Sequence, residues 1–329
     1  MAWWCTTTCA WIPLIPAARY AFFRNRRVGA DTSKLSGARI RFVGSELYGH
    51  SKTSWKPERT ERVLRKGFEF MKLHIVSDVH GAHSALRSAA DGSDAFICLG
   101  DLILFLDYDD PTQGIYAELF GAEHTSRYIE LRTANQFDAA RSLSQEAWKR
   151  IGVTSDEERA VLMRRMVRNQ YEVMFADMPE SAYLTYGNVD VPELWPDYLR
   201  PGHRVIDKAV IEVEGMRWGF IGGGLVSPMR TPYELTPEDY AAAVSYLGPV
   251  DILFTHIPPA LPELRYDTIA RRFEVGSEAL RSYIDEYQPA YHFFGHVHQP
   301  LAQRMRRGFT ECINVGHFHS RRTPFKITV

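Results

Sequence analysis

The sequence predicts an α/β fold in which polar side chains follow buried strands. Short apolar runs of strand length, such as Ala95–Leu99 and Ile252–Thr255, recur along the chain, as expected for strands covered on both faces. Between these runs lie longer stretches whose apolar residues recur at the period of a helix. Alternation of the two patterns is typical of the α/β class.

Composition and charge restrict the classes of function. The chain has 329 residues, of which 45% are hydrophobic and 24% are charged, so it is long enough to bury a sizeable core. Its net charge is −1, but residues 1–70 carry +8 and the remainder therefore about −9. An acidic body argues against a nucleic-acid groove, which requires a basic stripe. Four cysteines do not suggest a disulfide framework, and no apolar run is long enough to cross a membrane.

Residues 1–70 differ from the rest of the chain. They hold four of the seven tryptophans, and Pro13 and Pro16 interrupt an irregular pattern. Met71 stands directly before a convincing strand. We therefore predict that residues 1–70 are an extension outside the domain, either disordered or added by a wrongly assigned start codon, and that the domain spans 71–329. A transit peptide is the alternative. Because a secretory signal is not recognisable, we expect a cytoplasmic protein.

The predicted elements follow in order after Met71. Two helices are expected, at His83–Ala90 and near Ser277–Tyr287. A hairpin is predicted from Val210–Val213 and Trp218–Ile221, with Glu214-Gly215 as its turn. The remaining strands are predicted at Leu73–Val76, Ala95–Leu99, Tyr183–Tyr186, Ile252–Thr255, Tyr291–Phe294 and Phe325–Val329.

A long helical insertion is expected between the second and third strands, at about 107–180. Polar residues dominate this region, and its apolar residues are spaced by three and four positions. Such a stripe is typical of core packing, and we expect the insertion to form a lobe that shapes substrate choice. The stripe consists of Met163, Met166, Val167, Tyr171 and Met174.

Metal-ligand side chains follow five of the predicted strands. In an open α/β sheet, sites form at the edge where the carboxyl ends of the strands meet, so these side chains are expected to converge. Glycines before three of the ligands allow sharp turns and a close approach of the backbone. The motifs are Asp78-Val79-His80, Gly100-Asp101, Gly187-Asn188, His256 and Gly295-His296-Val297-His298.

The chemistry of these side chains is that of a divalent-metal site. Carboxylate, amide oxygen and imidazole suit Mn²⁺, Fe²⁺, Zn²⁺, Ni²⁺ or Co²⁺, and the absence of thiolates argues against structural zinc. Alternate residues of an extended tripeptide point the same way, so Asp-x-His and His-x-His each offer two ligands to one place. One such motif arises readily by chance, but five in order after strands do not. The predicted ligands are Asp78, His80, Asp101, Asn188, His256, His296 and His298.

In this order the motifs resemble those of the calcineurin-like metallophosphoesterase superfamily, over about residues 71–320. The resemblance implies a four-layer α/β/β/α sandwich with two metal ions, and hydrolysis of a small phosphorylated substrate by a hydroxide that bridges both ions. It implies that Asp78, His80 and His298 hold one ion. Asn188, His256 and His296 would hold the other, and Asp101 would bridge the two. Asp101 and Asn188 are thereby expected to be catalytic.

One position departs from the pattern of the family. Many members have Gly-Asn-His followed by an acidic residue, and that histidine assists the leaving group or steadies the phosphate, whereas this chain has Val189 after Asn188. Because valine donates neither a proton nor a hydrogen bond, we expect a slight preference for phosphodiesters over phosphomonoesters. His317 is the candidate for the missing catalytic acid, and a histidine in a surface loop is the alternative.

Other polar residues close to these motifs have simpler expectations. Asp190 is expected to cap the turn that follows it rather than bind metal. The acidic run of Asp107, Asp109 and Asp110 is expected to form a solvated loop, with a gate over the site as the alternative. His319 is a weaker candidate for a site residue than His317.

Three other functions remain compatible with the sequence. A nuclease of the same superfamily is disfavoured by the acidic body. A protein phosphatase would need peptide-reading regions that one sequence does not reveal. A non-catalytic scaffold of the same fold is disfavoured because every ligand position is filled. The oligomeric state stays open.

Overall fold

The computed structural model describes residues 70–329, so the predictions for residues 1–69 lie outside the described residues. The helices are α1 (His83–Leu86), α2 (Ile115–Phe120), α3 (Ala122–Thr133), α4 (Phe137–Arg150), α5 (Asp156–Asp177), α6 (Pro237–Tyr246), α7 (Pro262–Arg265), α8 (Glu278–Tyr287) and α9 (Phe318–Arg321), with a 3₁₀ helix at Pro192–Asp197. The strands are β1 (Lys72–Val76), β2 (Ala95–Cys98), β3 (Ala182–Leu184), β4 (His203–Val205), β5 (Ala209–Val213), β6 (Met216–Ile221), β7 (Gly224–Leu225), β8 (Glu234–Leu235), β9 (Ile252–Thr255), β10 (Tyr266–Asp267), β11 (Arg272–Phe273), β12 (Tyr291–Phe294), β13 (Arg304–Arg307), β14 (Thr310–Asn314) and β15 (Phe325–Thr328).

Two large sheets organise these strands, and the fold is a mixed α/β fold. The first has the order β15-β1-β2-β3-β4 and the second has the order β13-β14-β12-β9-β6-β5. Strands β1 to β4 run parallel to one another, as do β6, β9, β12 and β14. Antiparallel strands occupy three edges: β15 beside β1, β13 beside β14 and β5 beside β6. The parallel strands of each sheet therefore end together.

The inner faces of the two sheets share one apolar core. Side chains from β1 and β2, such as Ile75 and Ile97, pack in the same cluster as Phe220, Phe254 and Phe293 of the second sheet. The Phe254 ring stacks between the other two, with ring centroids 4.8 Å and 5.5 Å away. Burial of each such ring contributes roughly 1.5–3 kcal/mol, so this layer holds the sheets together.

Helices cover the outer faces of both sheets. On the second sheet, Tyr240 of α6 and Tyr283 of α8 are buried against Ile221 and Leu253. On the first sheet, α1 and the helices α2 to α5 form the largest cluster, which includes Trp148 and side chains from β2 and β3. Apolar residues on both faces explain why the parallel strands read as continuous hydrophobic runs.

Four helices, α2 to α5, lie between β2 and β3. All five members of the predicted apolar stripe are buried on α5, which confirms that the stripe is core. A capping box begins this helix, because Ser155 accepts from the Glu158 backbone N–H while the Glu158 side chain accepts in return. At its other end, Asp177 accepts from Arg87 Nε at 2.6 Å and lies 2.6 Å from His83 Nδ1, which ties α5 to α1.

The observed elements correct the predicted ones in a few places. The helix expected at His83–Ala90 ends at Leu86, because the next residues form successive turns in which Ala89 N–H donates to Leu86 O. The predicted hairpin is present, and Glu214 and Gly215 both have positive φ, as its turn requires. Several elements were not predicted: β4, β7, β8, β10, β11, β13, β14, α6, α7, α9 and the 3₁₀ helix.

Candidate metal centre

The carboxyl ends of the parallel strands bring the predicted ligands to one edge of the molecule. Each ligand lies in the first residues after its strand, which is the topological reason for their convergence. Asp78 and His80 follow β1, Asp101 follows β2, Asn188 follows β3, His256 follows β9, and His296 and His298 follow β12.

Asp101 lies at the middle of the cluster. Its Oδ2 is 3.3 Å from His256 Nε2 and 3.8 Å from His80 Nε2. Its Oδ1 accepts the backbone N–H of Val189 at 2.9 Å, which fixes the carboxylate in place. Asp101 belongs to two groups of candidate metal ligands. Within each group, one ligand atom from every residue lies within 4.8 Å of the ligand atoms of the others. The groups are Asp78 with His80 and Asp101, and Asp101 with His256 and His296.

Backbone carbonyls orient two of the imidazoles. His80 Nδ1 donates to Ile103 O at 2.8 Å, and His256 Nδ1 donates to Leu99 O at 3.0 Å. A carbonyl accepts but does not donate, so Nδ1 carries the proton in both rings and Nε2 is the nitrogen presented to the cluster. This second contact is the usual way in which proteins fix the tautomer of a metal-binding histidine.

The donor set fits a metal ion. Within residues 70–329, the Nε2 atoms of His80 and His296 are buried and make no hydrogen bond. A buried polar atom without a partner carries a cost of roughly 1–3 kcal/mol, which a bound cation would remove. His80 Nε2 lies 4.0 Å from Asp78 Oδ1 and 3.8 Å from Asp101 Oδ2, and a ring nitrogen of His296 lies within 4.8 Å of the Asp101 carboxylate, so these donors suit a divalent cation.

The electrostatics of the cluster favour positive charge. Burial alone would lower the pKa of His256, but the charge of Asp101 and their hydrogen bond raise it to about 9. Burial likewise opposes ionisation of Asp78, yet His298 and the other histidines hold the pKa of this carboxyl well below its usual range. Burial also opposes ionisation of Asp101, yet His256 and His80 lower the pKa of this carboxyl, so both carboxylates are ionised at neutral pH and both stabilise a cation beside them.

Four of the candidate ligands have a strained backbone. The φ angles of Asp78, His80, Asp101 and His296 are +55°, +38°, +55° and +68°. Each such residue costs of the order of 1–3 kcal/mol, and residues of this kind cluster at functional sites. Glycine is required at 295, because a Cβ there would collide with Ser77 and with the Asp78 carboxylate.

Asp190 organises the loop beneath Asp101. Its buried carboxylate accepts backbone N–H groups of Asp101 and Gly187 at 2.8 Å and of Leu102 at 3.0 Å. Burial and the neighbouring charge of Asp101 raise the pKa of Asp190 to about 7. The prediction that Asp190 caps the turn that follows it is wrong, because its carboxylate accepts from Gly187 before it and from the loop after β2, and no side chain caps the 3₁₀ helix that follows.

Thr231 and Glu234 were not found by sequence reasoning, although they hold Asn188. Asn188 Nδ2 donates to Thr231 Oγ1 at 3.0 Å, and Thr231 Oγ1 donates to Glu234 Oε1 at 2.8 Å. Asn188 Oδ1 thereby faces His256 Nε2, 2.9 Å away. Only a weak local signal existed, the closely spaced polar residues of a loop after β6.

Asn314 is a second residue that sequence reasoning did not single out. It is fully buried at the end of β14, and its Nδ2 donates to the carbonyl of Val297 at 2.9 Å and to that of Gly295 at 3.3 Å. Its Oδ1 accepts the N–H of Gly316 at 2.8 Å. It therefore joins the turn that carries His296 to the segment that carries His317.

The C-terminal histidines lie beside the cluster. The His317 ring stacks on the His298 ring with centroids 3.9 Å apart and an angle of 6°. Burial, together with the charges of His298 and His80, lowers the pKa of His317 to about 2. His319 Nδ1 donates to the carbonyl of His80 at 2.6 Å, and its Nε2 lies 3.1 Å from Asp107 Oδ2.

The expectation of a solvated acidic loop is wrong for Asp107. Its side chain is buried, because it pairs with His319 and because its Oδ1 accepts the backbone N–H groups of Asp109 and Asp110 at 2.8 Å and 3.1 Å. The loop borders a cavity of about 550 Å³ that opens beside His80. The cavity is lined by His80, Gly81, Leu104, Asp107, Asp109, Asp110, Gln113, His319, Ser320 and Arg322.

Comparison with known proteins bears on the fold but not on the activity. No family model matches the chain. It is 29% identical over 124 residues to an uncharacterized protein of Methanocaldococcus jannaschii, a match that covers 34% of this chain and 54% of that protein. The chain therefore spans about half the length of the curated relative it matches.

Solved structures show a shared fold. A crystal structure that is 11% identical in sequence superposes with a TM-score of 0.50, over 79% of this chain and 99% of that chain. Because only 11% of the sequence is identical, this structural similarity supports a shared mixed α/β fold and carries no argument about function. GAP50, the anchor in the inner membrane complex of Plasmodium, gives a TM-score of 0.33 at 9% identity over 75% of this chain and 71% of that chain, a likeness too low to carry an argument. Within residues 70–329, no helix combines the length and apolar character needed to cross a bilayer.

Proposed function

We propose that this chain is a metal-dependent phosphoesterase of the calcineurin-like kind, and that its two stacked sheets with their outer helices are the four-layer α/β/β/α sandwich of that superfamily. One observation carries the proposal. Two groups of candidate ligands share Asp101, and each group combines carboxylate and imidazole donors. This arrangement is what a pair of neighbouring divalent ions bridged by one carboxylate requires.

The proposed ligands divide as the resemblance implies. Asp78, His80 and His298 would hold one ion, and His298 Nε2 lies 3.4 Å from Asp78 Oδ1. The other ion would be held by Asn188, His256 and His296, with Asp101 between the two. Bound divalent ions would supply Lewis acidity and lower the pKa of a water molecule toward neutrality.

The protein itself supplies orientation and exclusion of water. The carbonyls of Ile103 and Leu99 hold the rings of His80 and His256 so that their Nε2 atoms face the centre. Prior orientation of this kind lowers the cost of reorganisation when charge develops on a phosphoryl group. His256 is fully buried, which shields that part of the centre from bulk water.

The side chain of Val189 bears on the type of ester. Its backbone N–H is already bonded to Asp101 Oδ1, and its side chain has no donor for a leaving group. Hydrolysis of an alkyl phosphomonoester expels a strongly basic alkoxide through a loose transition state in which the leaving oxygen carries much of the charge, so this reaction benefits most from a catalytic acid. We therefore propose that the chain acts on phosphodiesters in preference to phosphomonoesters.

The cavity beside His80 is the proposed binding place for the rest of the substrate. Its volume of about 550 Å³ suits a small molecule rather than a folded protein. Asp109 and Asp110 lie on its wall, and Arg322 is the one arginine among the lining residues of this cavity. A lining of this charge favours a substrate that carries hydroxyl or amino groups over one that carries further phosphates.

Two model substrates test the proposal on the full chain. After removal of metal with a chelator, bis-p-nitrophenyl phosphate and p-nitrophenyl phosphate are offered with and without added Mn²⁺. We expect manganese-dependent cleavage, faster for the diester than for the monoester. Absence of turnover of both substrates by a chain that binds Mn²⁺ would contradict the enzymatic proposal, and a preference for the monoester would contradict the proposed preference for phosphodiesters.

A further inference from the structure

His317 belongs to the candidate centre by its position in the fold. It follows β14, which runs parallel to β12, so it reaches the same edge as His296 and His298. Backbone hydrogen bonds join this segment to the first ligand loop, because Phe318 N–H donates to Ser77 O at 3.0 Å and His319 N–H donates to Asp78 O at 3.1 Å. The backbone that follows His317 is therefore held against the first ligand loop.

The ring of His317 has one nitrogen available to bind a ligand. Its Nδ1 lies 2.7 Å from the hydroxyl of Ser320, which leaves Nε2 for another partner. One ring nitrogen of His317 lies within 4.8 Å of a ring nitrogen of His80 and of His298, and these two are also within that distance of each other. Three imidazole nitrogens at such distances form a donor set for a divalent ion such as Zn²⁺, Ni²⁺ or Mn²⁺ once the His317 ring turns out of its parallel stack on His298, because the lone pairs of two parallel rings cannot meet at one ion.

We propose that His317 is an additional imidazole ligand of the ion held by Asp78, His80 and His298. The inference rests on the metal centre of the proposed function, and it gives His317 a role other than that of the catalytic acid. A ring nitrogen bonded to a metal holds no proton to donate, and the other nitrogen is occupied by Ser320. The extra imidazole would make this side richer in nitrogen ligands, and so better suited to Zn²⁺, Ni²⁺ or Co²⁺ than to Mg²⁺.

Stacking by itself is the competing role of His317. The parallel rings of His317 and His298 would stabilise the fold by about 0.5–1.5 kcal/mol without any metal. The substitution His317→Phe separates these roles, because phenylalanine keeps an aromatic face against His298 and has no ligand nitrogen. His124→Phe is a matched control, since His124 stacks on Tyr116 in the helical insertion and belongs to none of the candidate ligand groups.

The test measures metal binding by the full chain rather than turnover. Metal-free wild type, His317→Phe and His124→Phe are titrated with Co²⁺, followed by calorimetry and by the visible absorption of the bound ion. We expect two ions in the wild type and in the control. In His317→Phe one ion should bind roughly 10–100-fold more weakly, with a changed visible spectrum, while the other ion is unaffected.

Other outcomes would overturn the assignment. Equal affinities and an unchanged cobalt spectrum in His317→Phe would show that His317 is not a ligand. The same result with weaker inhibition by inorganic phosphate would make it a contact for the substrate instead. If His317→Phe does not fold, His317→Gln is titrated, and the same selective loss is expected. A wild type that binds no ion would refute the metal centre itself, which distinguishes that failure from the failure of this inference.

Discussion

The two sides of the candidate centre differ in burial and in what surrounds them. We call Asn188, His256 and His296 the buried side and Asp78, His80 and His298 the open side. The His256 side chain is 0% exposed, whereas the His298 side chain is 40% exposed. Only the open side contributes a lining residue, His80, to the cavity of about 550 Å³.

Because of this difference, we expect the two proposed ions to differ in affinity and in rate of exchange. Ligands fixed by buried hydrogen bonds lose little freedom when they bind, which favours a tightly held ion on the buried side. Ligands next to a cavity leave room for a substrate oxygen or a water molecule. We therefore expect the buried side to hold its ion more tightly and the open side to exchange its ion more readily.

The largest expected effect comes from the residue that both sides share. Asp101→Asn removes the charge that faces both His80 and His256, so both sides should bind metal more weakly and turnover should fall by roughly 10⁴-fold or more. Metal content and rates with bis-p-nitrophenyl phosphate measure these changes. Asp251→Asn is the matched control, since Asp251 directly precedes β9, at the opposite end of that strand from His256. Near-normal turnover by Asp101→Asn would exclude a bridging role for this carboxylate.

A change in the support of Asn188 should act on one side only. Because the Glu234 carboxylate accepts the single hydroxyl proton of Thr231, the Thr231 oxygen is left to accept from Asn188, and this sets which way the amide points. Thr231→Val should weaken the ion on the buried side by roughly 10–100-fold. Metal titration of the full chain gives the two affinities separately.

Two further variants control for damage to the loop. Thr231→Ser retains the hydroxyl and should restore most of the affinity. Ser227→Ala removes another hydroxyl bonded to Glu234, at 2.6 Å, but leaves the contact with Asn188 intact. Equal weakening of both ions by Thr231→Val would argue for a general loss of structure instead of an effect on Asn188.

A buried histidine of β12, His292, should also make the fold sensitive to acid. His292 Nε2 lies in hydrogen-bonding contact with the hydroxyl of Thr255, the residue before His256, at 2.8 Å. Burial lowers the pKa of His292 to about 3. The ordinary value is about 6.5, so between pH 6.5 and 3 the unfolded chain binds a proton that the folded chain does not. Stability must therefore fall as the pH falls through this window, by of the order of 1 kcal/mol for each pH unit.

Denaturant unfolding at several pH values measures this contribution. We expect the free energy of unfolding of the wild type to fall more steeply from pH 6.5 to 4 than that of His292→Gln, both in the presence of a chelator. Parallel curves for the two proteins would show that His292 does not account for the acid sensitivity.

The smallest effect is expected from removal of residues 1–70. Met71 exchanges two backbone hydrogen bonds with Val329, at 3.1 Å and 3.0 Å, so a chain that begins at Met71 retains the first pairing of the sheet. We expect its thermal unfolding temperature and its metal-dependent turnover to match those of the full chain. Failure of the shortened chain to fold would show that the N-terminal region belongs to the domain.

The strands and the candidate ligands were the features most readable from the sequence. Parallel strands covered on both faces give apolar runs, and the residue after each run is a short, local signal. The strand β14 was missed because Glu311 and Asn314 break its apolar run, although Asn314 is completely buried. Because β14 was not predicted, the sequence did not explain why His317 lies at the same edge of the sheet as His298.

Contacts between distant segments could not be predicted in this way. Asp107 looked solvated because its partner His319 lies at the far end of the chain. Thr231 carried no sign of its bond to Asn188, since the two meet only when the loop after β6 folds over the end of β3. Such pairs depend on sheet order and loop closure, which a single sequence does not specify.

We propose that occupancy of both halves of the two-ion centre controls phosphoester hydrolysis. The most direct test of this proposal is a titration of the metal-free full chain with Mn²⁺, in which bound ions per chain and the rate of diester cleavage are recorded together. We expect two bound ions, with little cleavage after the first and full cleavage after the second, because the tighter buried side fills first. Cleavage that does not depend on Mn²⁺, or that reaches its maximum with one ion bound, would contradict the proposal.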